Sequence, residues 1–367
     1  MSKLRLARLR RRLAARGLDG LVVSLPAHRR YLAGYTPPDS QPGESSGWLF
    51  ITASDAVLIT DFRYELTARE QARWCRVRIH RRGLAREAAG LAAQSRVRRL
   101  GFEAEALLVA ERDALAGQLG QGVELASTQG LVEGLRQSKD AAEVEAIARS
   151  LGLMEGVLDR VLAGELAGRS ERELARAITA GIEQAGGDGP AFPPIVASGP
   201  NAAEPHAEPT DRVVAVGEPV LFDVGARLEG YCSDISRTVV AGGLEAADQR
   251  FREVYALVRR AQRAAIAGLG PGLTGAQADE LGRAVIREAG YGERFGHSLG
   301  HGVGLATHEA PSLGPRSEHR LARGMVCTVE PGVYLPGWGG VRLEEMVLIT
   351  AGGCRLLNRL DRFYRLG

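Results

Sequence analysis

Two pairs of acidic residues limit the folds open to this chain: Asp223 with Asp234 in VLFDVGARLEGYCSDISRTVV, and Glu330 with Glu344 in CTVEPGVYLPGWGGVRLEEMVL. The flanking runs are apolar and β-branched and enclose a turn, so each stretch reads as a β-hairpin. A pairing centred on Arg227-Leu228-Glu229-Gly230 predicts Asp223 across from Asp234. One centred on Gly337 predicts Glu330 across from Glu344. Like charges facing across a sheet repel, and burying them uncompensated is costly. A divalent cation is the simplest compensation.

The 367 residues, 45% hydrophobic and 25% charged, suffice for two domains with their own cores. The net charge of +3 comes almost wholly from arginine, Lys3 and Lys139 being the only lysines, with acids interspersed. That pattern argues against a nucleic-acid surface. The basic start, MSKLRLARLRRRLAARG, reads as an amphipathic helix with Leu4, Leu6, Leu9 and Leu13 inward, ended by Gly17. No signal-type apolar segment follows it, and no apolar run reaches membrane-spanning length. Cys75, Cys232, Cys327 and Cys354 show no metal-site spacing and fit reduced thiols in a cytoplasmic protein.

From Gly20 to about Ser127 short apolar runs (GLVVSL, GWLFITASDAVLITD, CRVRIH, RRLGFEAE, VELAS) alternate with helical patterns, which predicts an α/β domain on a mixed sheet. The stretch Pro37 to Glu44 reads as an exposed loop that reaches another subunit or a substrate cleft. A boundary is expected near Leu135 to Asp140, before a long helix to about Leu166. The capping box Ser170-Glu171-Arg172-Glu173 opens a second helix, and two more are expected at about 247–267 and 275–289. The acidic pair occurs twice, which hints at a pseudo-duplicated layout.

Five of the seven histidines lie between His206 and His319, three of them in FGHSLGHGVGLATHE, where Gly296, Gly300, Gly302 and Gly304 disfavour a helix. His28 and His80 read as surface or satisfied histidines, and His319 as part of a solvated turn. Four carboxylates with one imidazole make a hard-oxygen donor set that suits Mn, Co or Fe(II) at least as well as Zn. Two such ions could share a water and clamp a carbonyl oxygen for hydrolysis.

The order DVG, DISRT, HSLGHGVG, TVEPGVY, VRLEE closely resembles the Xaa-Pro peptidases, the proline dipeptidases and aminopeptidases of the pita-bread metallopeptidase superfamily. The resemblance implies a creatinase-like domain over 1–133 and a pita-bread catalytic domain over 134–367, with a curved antiparallel sheet and a pseudo-twofold layout. It implies metal ligation by Asp223, Asp234, His301, Glu330 and Glu344, with Asp234 and Glu344 shared between two ions, Mn2+ foremost and Co2+, Fe2+ or Zn2+ as alternatives. Glu330 is the implied general base. His308 and His206 are implied at the scissile carbonyl, with His308 alternatively passing a proton to the leaving nitrogen. His297 is implied in the pocket that receives proline, and Arg342 beside the metal carboxylates. Tyr334 reads equally as a site residue or a core aromatic. The implied partners are proline-containing di- or oligopeptides and a second copy of the chain in a homodimer, with no nucleic acid and no membrane.

Three other readings compete. A methionine-type aminopeptidase would not need the leading domain, creatinase-like chemistry would not need the intact ligand set, and a pita-bread interaction module would have lost it.

Overall fold

The computed structural model of the protein describes residues 2–39 and 41–366, in two compact units, Met1–Arg136 and Gln137–Gly367. Among the described residues no helix is long and apolar enough to cross a membrane.

In the first unit a six-stranded mixed sheet runs in the order Arg76–Ile79, Ala56–Thr60, Trp48–Thr52, Gly20–Val23, Arg99–Glu103, Glu124–Thr128. Trp48–Thr52 pairs antiparallel with both its neighbours, and the other contacts are parallel. The three central strands are buried along their whole length, which is why they read as unbroken apolar runs. The opening helix, Ser2–Ala15, buries Leu6, Leu9 and Leu13, whereas Leu4 is 57% exposed. Leu4 therefore departs from the inward face expected of it: at about 100° per residue it lies more than half a turn from Leu6. The Pro37 to Glu44 loop includes Ser40, which lies outside the described residues. Gln41 to Glu44 are exposed, while Asp39 accepts from the fully buried Arg29 at 2.7 Å.

The second unit repeats one plan: two helices, then antiparallel strands. Helices Ala141–Ala163 and Glu171–Gln184 precede a three-stranded sheet of Ile195–Ser198, Pro219–Val224 and Ile235–Val240. Helices Gln249–Gly268 and Gly275–Glu288 precede a five-stranded one built on Gly300–Gly302, Val326–Val329 and Glu345–Ile349. Reciprocal capping boxes start three of the four, Asp140 with Glu143, Ser170 with Glu173 and Thr274 with Gln277.

Main-chain groups, a hydroxyl and a buried ion pair stitch the two halves together: Arg237 donates to the Glu344 carbonyl at 2.6 Å and pairs with Glu345 at 2.8 Å. The amide of Glu344 donates to the Ser236 carbonyl at 3.1 Å, and Thr238 Oγ1 both donates to the Arg342 carbonyl and accepts from the Arg342 amide. Alternation along Pro219–Val224 sends Val220, Phe222 and Val224 into the core under the helices and Asp223 to the opposite face.

The registers differ from expectation in one pair. Val329 pairs with Glu345 and Gly332 with Arg342, so counting inward from both sides sets Glu330 across from Glu344. Asp223, however, pairs with Ser236, not Asp234. The turn consists of Glu229 and Gly230 alone, both with positive φ (47° and 70°), between the pairs Leu228 with Tyr231 and Arg227 with Cys232. Two positive φ values make the tight turn that matches strand twist. Its centre lies one residue beyond the expected one, which moves every partner by two. A shift of two preserves the face, so Asp234 is diagonal to Asp223 and not directly opposite. At the same place the ladder is interrupted: a Cβ on Gly225 would sit 2.2 Å from the Ser233 carbonyl oxygen, so only glycine fits there.

Candidate metal centre

The strand ends and the glycine-rich segment meet in one cavity of about 480 Å³. Asp223, Asp234, His301, Glu330 and Glu344 all line it, with His206, His297, His308 and Arg342. Asp234, His301 and Glu344 each present a donor atom within 4.8 Å of the others. His301 Nε2 lies 3.6 Å from Asp234 Oδ2 and 3.4 Å from Glu330 Oε1. Asp223 is held differently. Its Oδ2 accepts from Arg342 at 2.5 Å, while its Oδ1 is buried with no protein partner.

These residues fit divalent cations. His301 Nδ1 faces the Gly302 carbonyl at 3.1 Å, and a carbonyl only accepts, so the ring proton sits on Nδ1 and the Nε2 lone pair faces the acids. Burial and the neighbouring His308, whose ring centroid is 4.2 Å away, push the His301 pKa down to about 4, so the ring stays neutral. Burial also pushes the acids up. Desolvation, then the charges of Glu344, Asp223 and Glu330, raise Asp234 well above the usual carboxylate range, and desolvation with Glu330 and Asp223 does the same to Glu344. Glu330 is pushed up to about 8 by burial first, with Asp223 adding and Arg342 and Thr328 opposing. Without a cation this cluster holds protons, and a cation offers the same compensation without them.

Two hydroxyls that the sequence analysis passed over fix the acids in place. Thr328 Oγ1 donates to Glu330 Oε1 at 3.1 Å and accepts from the His301 amide at 3.0 Å. Ser236 Oγ donates to Glu344 Oε2 at 2.9 Å and accepts from Arg342 Nε at 3.0 Å. Thr328 lies two residues before Glu330 and Ser236 two after Asp234. The period of two that identifies a strand puts Thr328 on the face of Glu330, a signal readable in the sequence, whereas Ser236 reaches Glu344 across the two halves, which only the fold shows.

Tyr334 does not line the cavity. It is 6% exposed and stands behind His297 and Arg342. Arg342 donates to its hydroxyl at 2.9 Å, and the hydroxyl lies 2.8 Å from His297 Nε2. His297 Nδ1 is 2.8 Å from the Ser298 carbonyl and so carries the ring proton, leaving Nε2 to accept from Tyr334. Both ring nitrogens are thereby engaged. Burial and the Arg342 charge push the His297 pKa down to about 3, so this neutral ring has only its apolar face to offer a ligand. Arg342, which further donates to the Pro205 carbonyl at 3.0 Å, is likewise committed to protein partners. Tyr334→Phe is expected to cost about 1–3 kcal/mol of stability, because two buried partners lose their hydrogen bond. Urea unfolding of the variant measures it.

Phe192, Pro193, Pro194, Ile195, Pro205 and Pro209 give the same cavity an apolar wall, with Ile195 the cross-strand partner of Asp223. The run PAFPPIV holds four of these six residues, and no motif marks it.

Residues 145–351 match the family model of metallopeptidase family M24, and residues 5–138 that of the creatinase/prolidase N-terminal domain. The peptidase YqhT of Bacillus subtilis is 35% identical over 355 residues, 97% of this chain and 98% of that protein. Among solved structures, the Xaa-Pro dipeptidase from Bacillus anthracis superposes with a TM-score of 0.93 at 35% identity, over 100% of this chain and 99% of the other. The X-Pro aminopeptidase from Thermotoga maritima MSB8 gives 0.85 at 32% identity, over 94% and 97%.

Proposed function

The chain belongs to metallopeptidase family M24 and is a metal-dependent peptidase, and we propose that it hydrolyses the Xaa-Pro bond at the amino terminus of dipeptides or short peptides. One observation carries the reading: four carboxylates and the neutral His301 converge in a cavity that is also lined by proline, phenylalanine and isoleucine. The relatives named above as Xaa-Pro dipeptidase and X-Pro aminopeptidase support it.

Asp223, Asp234, His301, Glu330 and Glu344 would hold two divalent cations, manganese(II) foremost. Bound there, the ions supply Lewis acidity, which polarises a carbonyl and makes water a competent nucleophile near neutral pH. Glu330, the acid whose Oε1 is steadied by Thr328, takes the proton of the attacking water. His308 is exposed at the cavity with its ring centroid 4.2 Å from that of His301 and, kept below its ordinary pKa by partial desolvation, stays available as a neutral imidazole to accept a proton near the leaving nitrogen or the carbonyl oxygen. His206, exposed on the Pro205 to Pro209 segment, faces the same oxygen from the apolar wall.

A bond to proline is a tertiary amide with no N–H. Enzymes that hold an extended backbone through that donor lose their grip on it. Here the apolar wall and the face of His297 take the pyrrolidine ring, so the missing donor costs nothing. The test is release of alanine by manganese-loaded protein from Ala-Pro, Ala-Pro-Gly-Gly and Ala-Ala-Gly-Gly. Proline peptides should be cut about 10²-fold faster than the alanine counterpart. Equal rates would refute the proline reading, and no hydrolysis at all would refute the peptidase assignment.

A further inference from the structure

We propose, resting on the Xaa-Pro reading, that Glu208 determines what this enzyme accepts beyond the proline. Its carboxylate discriminates against a free proline carboxyl group and in favour of a peptide that continues, most of all into lysine or arginine.

The inference follows from the charges that line the cavity. Four of its five acids, Asp223, Asp234, Glu330 and Glu344, are the cluster described above. Their four negative charges balance the four positive charges of two divalent ions. Arg342 is the sole arginine at the cavity, and no lysine lines it among the described residues. Arg342 is spent on Asp223, Ser236, Tyr334 and the Pro205 carbonyl. Glu208 is the fifth acid, and nothing in the cavity answers it.

Its position gives that charge a direction. Glu208 sits between Ala207, which is buried, and Pro209, on the segment that forms the apolar wall with Phe192 to Ile195, and it is itself exposed. A substrate whose ring lies on that wall has its next group in a cavity where Glu208, flanked in the chain by the wall residue Pro209, is the one acid outside the cluster. In Xaa-Pro that group is a carboxylate, and it meets a like charge. In a longer peptide it is a neutral amide, and a following lysine or arginine brings an opposite charge. In a solvent-open mouth each such encounter changes affinity by a factor of about 3–10. Glu208 takes no part in the chemistry assigned to the acids and histidines, so the effect belongs mainly in KM.

The experiment compares Ala-Pro, Ala-Pro amide and Ala-Pro-Lys amide on manganese-loaded protein, wild type against Glu208→Gln and Glu208→Lys. The expected kcat/KM of wild type for Ala-Pro amide exceeds that for Ala-Pro by about 3–10-fold. Glu208→Gln brings that ratio towards one and removes the advantage of the lysine peptide. Glu208→Lys inverts both preferences, and 0.5 M salt shrinks them in wild type. Ratios that are the same in all three proteins overturn the proposal while leaving the Xaa-Pro reading intact. Wild-type protein that cuts none of the three overturns that reading, and the role of Glu208 with it.

Discussion

Glu330→Gln is expected to lower kcat for Ala-Pro by about 10²–10⁴-fold, the range for loss of a positioned general base, with the fold retained. Glutamine is nearly isosteric, and its amide oxygen can keep the hydrogen bond from Thr328 Oγ1 that now reaches Glu330 Oε1 at 3.1 Å. Nor does the change strand a new buried charge. Burial already pushes this carboxyl up to about 8 in the metal-free fold, so a neutral side chain relieves repulsion within the cluster. What disappears is a proton acceptor and one negative ligand. Metal analysis beside the kinetics separates the two, since a variant that keeps its ions and still loses turnover has lost the base. Full residual activity would remove Glu330 from the role.

Asp234→Ala is expected to abolish activity together with metal binding, leaving at most one ion per chain. Asp234 is 4% exposed and lies between His301 and Glu344, so the position offers no substitute donor. Retention of both ions would contradict its shared role. The wild-type protein supplies a companion measurement whose sign follows from linkage. Glu330, Asp234 and Glu344 all have folded-state pKa values raised above their ordinary ones. Such a group binds its proton more tightly folded than unfolded. Its contribution to stability is full below the unfolded value and is lost as pH rises through the folded one. The melting temperature of metal-free protein should therefore fall between about pH 6.5 and about 8, above the range in which the depressed His297 and His301 act in the opposite direction. Manganese should restore it most at the alkaline end, because the cation displaces protons when it binds. A melting temperature that rises across that window would contradict the buried-cluster account.

Much of this was legible in the sequence, for definite reasons. Glu330 and Glu344 could be placed opposite one another because their hairpin turns about Gly337 and both flanking ladders keep one register. Asp223 and Asp234 could not. The four residues Arg227 to Gly230 all look like turn, and only the backbone shows that Glu229 takes a positive φ, so that the turn closes in two. The error left the chemistry standing because a slip of two keeps the face. Tyr334 was ambiguous for a different reason: its ring is core, yet its hydroxyl joins Arg342 to His297, and burial alone does not separate those roles. The apolar wall was missed because prolines read as interruptions when the sequence is scanned for periodicity, and only folding shows that Pro193, Pro194, Pro205 and Pro209 share one surface.

The join between the two sheets has a further implication. It is made by main-chain groups, hydroxyls and the buried ion pairs Arg237–Glu345 and Arg342–Asp223, none of which needs a metal, so it can close before any ion arrives. Each half brings acids that repel one another, Asp223 and Asp234 from one and Glu330 and Glu344 from the other. Neither half alone assembles a donor set large enough for a pair of ions. The scaffold thus presents a finished socket whose unfavourable electrostatics are kept in store, and loading it releases that cost without rebuilding the architecture around it.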